Sequence, residues 1–464
     1  MLRFFRQYFP IRNVIFFVFE GIAIFGTFLI SSVLLTVSGS YFFDFMLVLR
    51  IILISLLFVA CLYYNDLYDF DKKKKFREIF IKLIQSIGFL SIITALIFYI
   101  FPLPLIDVRI FLISILVLFF FIIFWRTLYI YLLEHGIFNE KVVIVGSSDL
   151  SVDIFKEITK TLDCGYKVKA VFPDSGDNNI DKFGKAKIKF YYNLKNLYKT
   201  ASSAGTKKIV VAMKEQRGSF PIKELIQCRS AGLEIINGYT FYEQLTGKIL
   251  VEKINPSWLI FSDGFHKSLM KDFMKRVIDI FSSVILLIIS SPLIIITALM
   301  VKLGSKGPVI FAQDRVGKNK KEFMMYKFRS MVNNAEKITG PVWAEEEDPR
   351  ITKVGRIIRK YRIDELPQLW NVLKGDMSLV GPRPERKFFT DDLENEIPFY
   401  SQRFLVKPGL TGWAQVSFDY AATVEDSLEK LNYEMFYIKN STILMDIVII
   451  LRTVKIVLFG RGSR

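Results

Sequence analysis

Hydrophobic residues follow two different rhythms along the chain. Up to residue 133 they form four long runs, at 14–37, 45–64, 80–101 and 110–133. Each is about the ~20 residues an α-helix needs to cross the hydrocarbon core of a bilayer. From Lys141 the apolar runs shorten and polar turns separate them. Strands are predicted at 142–145, 166–172, 208–211 and 233–236, with helices at 152–162 and 222–231. Strands alternating with helices predict a parallel, Rossmann-like α/β sheet. Its first turn reads Gly146-Ser147-Ser148-Asp149-Leu150-Ser151. It lacks the second and third glycines that let a pyrophosphate approach a helix N-terminus, so sensing, docking or self-association is expected of this module rather than redox chemistry.

A fifth apolar run, 277–301, has Ser290-Ser291-Pro292 at its middle. Proline removes a backbone donor and clashes with the preceding turn, which predicts a kink there. Lys271, Lys275 and Arg276 precede the run, and Lys302 and Lys306 follow it. Basic flanks at both ends predict a hairpin that enters and leaves by one face, because a full crossing would put one cluster outside. The competing expectation is a kinked fifth span.

Composition sharpens the membrane reading: 52% hydrophobic residues and a mean hydropathy of +0.34 are too apolar for an ordinary soluble enzyme of 464 residues. Arg3, Arg6 and Arg12 precede the first span, and Lys72–Lys75 with Arg77 fill the loop after the second. Positive-inside bias assigns both to the cytoplasm, along with everything after the fourth span. The basic start lacks a small-residue cleavage site, so the first span is expected to remain. Two charges, Glu20 and Arg50, are noted inside the spans, at depths too different for them to pair. The net charge of +17 suits anionic partners without choosing among nucleic acid, lipid headgroups and diphosphates. Three dispersed cysteines and two histidines leave carboxylates and cations to carry any chemistry.

The densest candidate chemistry lies between residues 307 and 416. Basic residues alternate there with glycine, proline and aromatics: Gln313-Asp314-Arg315-Val316-Gly317, Lys327-Phe328-Arg329-Ser330-Met331 and Gly355-Arg356-Ile357-Ile358-Arg359. Guanidinium forks on such turns match phosphate oxygens. Asp364-Glu365 comes next, ahead of an amphipathic helix whose first turn accepts Pro367 and whose end suits Gly375. The plain reading of Asp364 is a helix N-cap. The same place gathers partial positive charge, where a phosphoryl group can sit beside a carboxylate. Adjacent carboxylates point about 100° apart on a helix, so one could attack while the other holds a metal.

In order, a basic helix start, Ser291-Pro292, Asp364-Glu365, Leu373-Lys374-Gly375-Asp376-Met377-Ser378-Leu379-Val380-Gly381-Pro382-Arg383-Pro384 and Pro408-Gly409-Leu410-Thr411-Gly412-Trp413-Ala414-Gln415 resemble the bacterial polyprenyl-phosphate sugar-1-phosphate transferases of the monotopic type. The likeness covers 271–458. The preceding spans and α/β module resemble the large, multidomain branch that charges undecaprenyl phosphate with glucose or galactose phosphate for exopolysaccharide. Gln244-Leu245-Thr246-Gly247-Lys248 and Pro256-Ser257-Trp258-Leu259-Ile260-Phe261 look like the linker of an exopolysaccharide subgroup.

The resemblance implies an α-helical membrane protein plus α/β: a four-helix transmembrane domain (1–136), a Rossmann-like module (137–250), a linker (251–270) and a small, mostly helical catalytic domain (271–464) with the re-entrant hairpin. It implies Asp364 as nucleophile, Glu365 as the Mg²⁺ carboxylate, and Arg359 and Arg383 on substrate phosphates, with Lys327 and Arg329 of the basic blocks as further phosphate candidates. Trp413, Thr411 and Gln415 are then candidates for the nucleotide, although a core tryptophan fits Trp413 equally well. The implied partners are a nucleotide sugar, a polyprenyl phosphate, the bacterial inner membrane and a second copy in a homodimer, with no nucleic acid. Two other classes stay open. A membrane-anchored sugar-nucleotide dehydratase could use Tyr191 and Lys195 but would need a glycine-rich cofactor turn, and a non-enzymatic assembly scaffold leaves Asp364-Glu365 unexplained.

Overall fold

The structure, a computed structural model, describes residues 2–4, 7–9, 11–37, 44–68, 76–100, 107–161, 164–174, 178–183, 188–213, 220–254, 256–257, 264–265, 269–332, 348–418 and 423–459. The basic loop at 72–75, Arg6, and linker residues 258–261 lie outside them. Apart from a few N-terminal residues, the chain divides into two compact units, one ending at Phe241 and the other beginning at Tyr242.

The first unit opens with helices Ile11–Val37 (α1), Phe45–Tyr64 (α2), Phe76–Ile100 (α3) and Val108–Glu134 (α4). Each is long and apolar enough to cross a membrane. Every helix packs on two of the others, around a core that includes Phe28, Ile54, Leu83 and Leu118. Their outer faces carry Leu56, Leu116, Phe120 and Phe124, which are 61–67% exposed. Leaving such side chains in water forgoes about 1.5–3 kcal/mol each, and lipid removes that penalty. This is a membrane protein.

Glu20 does not stand alone in the apolar interior. Arg126 in α4 donates to it at 2.7 Å, with both side chains essentially buried. A second Arg126 nitrogen donates to the Leu67 carbonyl, and the guanidinium lies 5.0 Å from the Tyr68 ring. The expectation of two intramembrane charges was therefore incomplete: Arg126, and Lys82 near the start of α3, belong to the set. Lys82 pairs with Asp66 at 3.2 Å. Glu20→Ala would strand Arg126 without its counter-charge, and about 3–5 kcal/mol of stability should be lost. Removing both charges together as Glu20→Met with Arg126→Met should restore most of it in a detergent unfolding series. A single variant as stable as the parent would contradict this.

Strands Glu140–Val145 (β1), Tyr166–Phe172 (β2), Lys189–Phe190 (β3), Lys208–Val211 (β4) and Glu234–Asn237 (β5) form a fully parallel sheet in the order β3-β2-β1-β4-β5. Helices Asp149–Lys160 (α5), Leu197–Ser203 (α6) and Ile222–Ser230 (α7) make the crossovers, and Gly238–Thr246 (α8) follows β5. Alternation of β-branched runs with amphipathic ones predicted this module apart from the short edge strand β3 and α6. At the turn after β1, the Ser147 N–H donates to the Asp174 carboxylate at 3.2 Å, so an anion-seeking donor there already faces an anion. Tyr191 stacks on Phe172, and Lys195 is exposed.

The second unit is built on one 36-residue helix, Leu269–Gly304 (α9), with Pro292 inside it. At 1.5 Å per residue it is about 54 Å long, well beyond the ~30 Å hydrocarbon core. Pro292 has no N–H for the Ile288 carbonyl, and the Ser291 hydroxyl donates to that carbonyl instead at 2.8 Å. Ser290 donates likewise to Leu286. Helical structure continues through the expected break, and the Ser291 hydroxyl satisfies the carbonyl that proline frees. Asp279, Ser283, Thr297 and Val301 are the buried positions of α9. Around it lie an antiparallel hairpin, Ile310–Val316 (β6) with Glu322–Phe328 (β7), and a short parallel pair, Ser378–Val380 (β8) with Gly409–Thr411 (β9). Helices Lys353–Lys360 (α10), Gln368–Lys374 (α11), Lys387–Glu396 (α12), Trp413–Ser417 (α13), Val424–Asn440 (α14) and Ile443–Phe459 (α15) complete it.

Candidate active site

Three local structures converge on Asp364-Glu365. The first is β7, which carries Lys327 next to its end. The second is α10, capped by the Thr352 hydroxyl on the Gly355 N–H at 2.9 Å and carrying Arg359 in its last turn. Only glycine fits at 355, since a Cβ there would meet the Ser330 carbonyl at 1.8 Å. The third is the Gly381–Pro384 turn after β8, which presents Arg383.

Arg362 adopts the left-handed region (φ 53°, ψ 24°), which ends α10 and turns the chain into a single 3₁₀ turn, Ile363–Glu365. The next helix, α11, begins at Gln368 with Pro367 as its N-cap residue and no side-chain cap. The N-cap expectation for Asp364 is thereby corrected: Asp364 lies three positions before the cap residue. The expected end holds, with Gly375 at φ 99° receiving the last turn.

Asp364 and Glu365 are both 8% exposed. Arg383 Nη2 lies 2.7 Å from Glu365 Oε1, Lys327 Nζ 3.5 Å from the same oxygen, and Arg362 Nη1 3.7 Å from Oε2. Burial alone would raise the Glu365 pKa, but the Arg383, Lys327 and Arg362 charges override it and hold that carboxyl far below the usual carboxylate range. Asp364 moves the other way: burial and the Glu365 charge push it up to about 6, against the pull of Lys327, Arg383 and Arg359. Burial also draws the Lys327 ammonium down. Two adjacent carboxylates therefore differ sharply. Glu365 is locked as an anion by three cations, and Asp364 is the basic, under-compensated one. At neutral pH it is still mostly ionised, so it can attack without a general base.

Of the expected phosphate ligands, Lys327 and Arg383 reach Glu365, and Arg359 acts on Asp364 through its charge. Arg329 is directed elsewhere, with its Nη2 donating to the Val301 carbonyl and to Ser305, at the end of α9. Its Nε and Nη1 are buried without a hydrogen-bond partner. Trp413 donates to the Gly247 carbonyl at 2.8 Å, packs on Phe436 and lies under the Arg452 guanidinium at 4.9 Å. Thr411 shares a hydrogen bond with Thr453, and Gln415 donates to the Leu410 carbonyl. Ser291 and Pro292 lie within α9.

Sequence reading overlooked Arg362, whose left-handed backbone no local pattern announces. It also took Lys275 and Arg276 only as topology signals. Arg276 caps α11 by donating to the Val372 and Leu373 carbonyls, and Lys275 pairs with Asp446 at 2.7 Å. Among the described residues no three metal-ligating side chains cluster. Magnesium, however, is commonly held by one or two carboxylates with substrate phosphates and water. The buried Glu365 carboxylate with Asp364 beside it is the pair of oxygen donors that could hold such an ion together with substrate phosphates.

A family model described as bacterial sugar transferase matches residues 270–460. The UDP-N-acetylgalactosamine-undecaprenyl-phosphate N-acetylgalactosaminephosphotransferase of Aeromonas hydrophila is 44% identical over 240 residues, covering 52% of this chain and 56% of that protein. The undecaprenyl-phosphate glucose phosphotransferase of Komagataeibacter xylinus is 41% identical, over 41% of this chain and 36% of its own. The UDP-glucose:undecaprenyl-phosphate glucose-1-phosphate transferase of Escherichia coli is 32% identical over 339 residues, covering 70% of this chain and 69% of that protein. The chain thus spans little more than half the length of the first of these relatives and about a third of the second.

Proposed function

The chain belongs to the bacterial sugar transferases, and from that premise we propose that it moves a sugar 1-phosphate from a nucleotide sugar, a UDP-hexose, onto undecaprenyl phosphate, the first membrane step of exopolysaccharide or related glycan assembly. The observation that carries the reading is the division of labour between two buried neighbours, an under-compensated Asp364 and a Glu365 gripped by Arg383, Lys327 and Arg362. The names of the Aeromonas and Escherichia relatives support both substrates.

The chemistry is two displacements at phosphorus. An Asp364 oxygen bonds to the sugar-proximal phosphorus of the donor as the bond to the nucleoside monophosphate breaks and UMP leaves. An oxygen of the lipid phosphate then attacks the same phosphorus, releases Asp364 and leaves polyprenyl-diphosphate-sugar. The obstacle is anion meeting anion, which positioned cations offset by spreading charge over the phosphoryl oxygens. Arg383, Arg359 and Lys327 supply that charge from the chain. Mg²⁺ held by Glu365 and Asp364 would neutralise further phosphate charge when bound. Arg329 and the Trp413, Thr411 and Gln415 turn remain part of the proposal as donor-binding positions, weakened by the contacts these side chains already make.

The same reading takes 1–136 as a four-helix transmembrane bundle, 137–250 as a Rossmann-like module that supports a homodimer, and the soluble parts as cytoplasmic in the inner membrane. For α9 it keeps the re-entrant course. With Cys61, Cys164 and Cys228 buried and removed from the background, single cysteines at Leu269 and Lys306 should both resist an impermeant thiol reagent in whole cells. Labelling of only the second from outside would mean that α9 crosses. The function itself is tested by assaying UDP-glucose, UDP-galactose and UDP-N-acetylgalactosamine for UMP release with undecaprenyl phosphate. Acceptor-dependent release from at least one is expected, and none from all three would overturn it.

A further inference from the structure

The turn that presents Arg383 is held in an unusual way. Residues Pro382 and Pro384 have no N–H, so the segment Gly381-Pro382-Arg383-Pro384-Glu385 must be fixed largely through its carbonyls. Four consecutive carbonyls are taken. Pro382 O accepts from Gly409 N at 2.8 Å, and Glu385 O accepts from Val316 N at 2.9 Å. The two in the middle are held by side chains: Arg383 O by Arg403 Nη2 at 2.8 Å, and Pro384 O by Arg315 Nη1 at 3.1 Å.

Arg403 is 4% exposed, and everything around it fixes its fork. The same Nη2 reaches Glu434 Oε1 at 3.0 Å, Nη1 donates to the Tyr400 hydroxyl, and the guanidinium lies over the Tyr400 ring. Glu434 is 2% exposed and sits on α14. One turn earlier on that helix, Lys430 grips Glu385, which Arg315 approaches at 3.7 Å. The Arg403–Glu434 pair meets the site through the backbone of Arg383.

We propose that Arg403, set by Glu434, is a positioning residue that fixes the Arg383 carbonyl and so aims the Arg383 fork at Glu365 and at the phosphoryl group beside it. The inference rests on the reading of Arg383 as a phosphate-contacting residue of the proposed transfer. A bidentate fork is useful only at one angle, and a displacement of about 1 Å at a reacting group can lower a rate by ~100-fold.

A buried ion pair can also be merely structural, so the test must separate the two roles. Replacing both charges by apolar residues of similar volume is often neutral for folding, which makes Arg403→Met with Glu434→Leu the informative variant. In full-length protein in nanodiscs, with whichever of the three UDP-sugars turns over, this pair should lower kcat about 10–100-fold. The donor KM should change by less than about 3-fold, and the thermal midpoint should stay near that of the parent. If that pair fails to fold, Arg403→Lys keeps the charge for Glu434 but not the fork, and the same fall in kcat is expected. In an Arg383→Lys background either change should add little, because groups that act through one another are non-additive. Losses that multiply in that background, or an unchanged kcat, would overturn the inference while leaving the transfer reaction intact. Full activity of Arg383→Ala would instead overturn the reading beneath it, and this inference with it.

Discussion

Asp364→Asn should lower turnover by about four orders of magnitude or more, the scale seen when a nucleophile is removed from an enzyme that works through a covalent intermediate. The substitution is nearly isosteric, but an amide is neutral and a far weaker nucleophile. Stability should move in the opposite direction from activity. Asp364 caps no helix, since Pro367 is the cap residue of α11 and makes no side-chain cap bond. Its carboxylate is disfavoured in the folded protein by burial and by Glu365, as its pKa near 6 records. A carboxyl whose folded pKa is raised above its ordinary value of 3.8 destabilises the fold progressively as pH rises from about 4 through 6, and that penalty is fully present at neutral pH. Asn removes it. The variant should therefore be inactive and at least as stable as the parent at pH 7.5, read by UMP release and thermal unfolding on one preparation. An inactive but markedly destabilised variant would favour a structural role.

Glu365→Gln should behave differently although it is the neighbouring residue. Three cations share this carboxylate, at 2.7, 3.5 and 3.7 Å. Neutralising it leaves Arg383, Lys327 and Arg362 facing one another in a buried site, and breaking a buried pair from one side costs about 3–5 kcal/mol. Turnover should fall by about 10³-fold, on the scale of losing an electrostatic stabiliser. If Glu365 also holds Mg²⁺, chelation by EDTA should silence the parent enzyme, and excess MgCl₂ should restore the variant in part. The pair of results, loss with stability kept at 364 and loss with stability reduced at 365, separates the two roles. Equal stability changes at both positions would contradict the division of labour.

How much of this was legible in the sequence depended on the range of the signal. The first four apolar helices and most of the parallel sheet came from local periodicity, which a one-dimensional pattern carries well. Gly375 was readable as a helix end for the same reason. What was missed was long-range or conformational. Arg126 lay inside a run so apolar that averaging hid its single charge, and its partner Glu20 is 106 residues away. Asp364 was expected to cap α11 because nothing local signals that Arg362 would take the left-handed region and insert a 3₁₀ turn first. Arg329 looked like Arg359 or Arg383, a guanidinium in a basic block, yet its partner is the end of α9. Residues 244–248 read as linker-like and 251–270 as a linker, whereas Gly247, Lys248 and Val251 bond to Trp413, Glu429 and Asn432 of the same unit. In each case the missing information was which distant atom would arrive.

The central claim is that Asp364 becomes covalently bound to the phosphosugar, and intact mass spectrometry tests it most directly. Because the first displacement does not need the lipid, enzyme mixed with its UDP-sugar alone and rapidly quenched should gain the mass of one sugar phosphate and release about one equivalent of UMP. Peptide mapping should then assign the added mass to Asp364. An unmodified enzyme that nevertheless turns over when undecaprenyl phosphate is supplied, or an adduct on any other residue, would contradict the account.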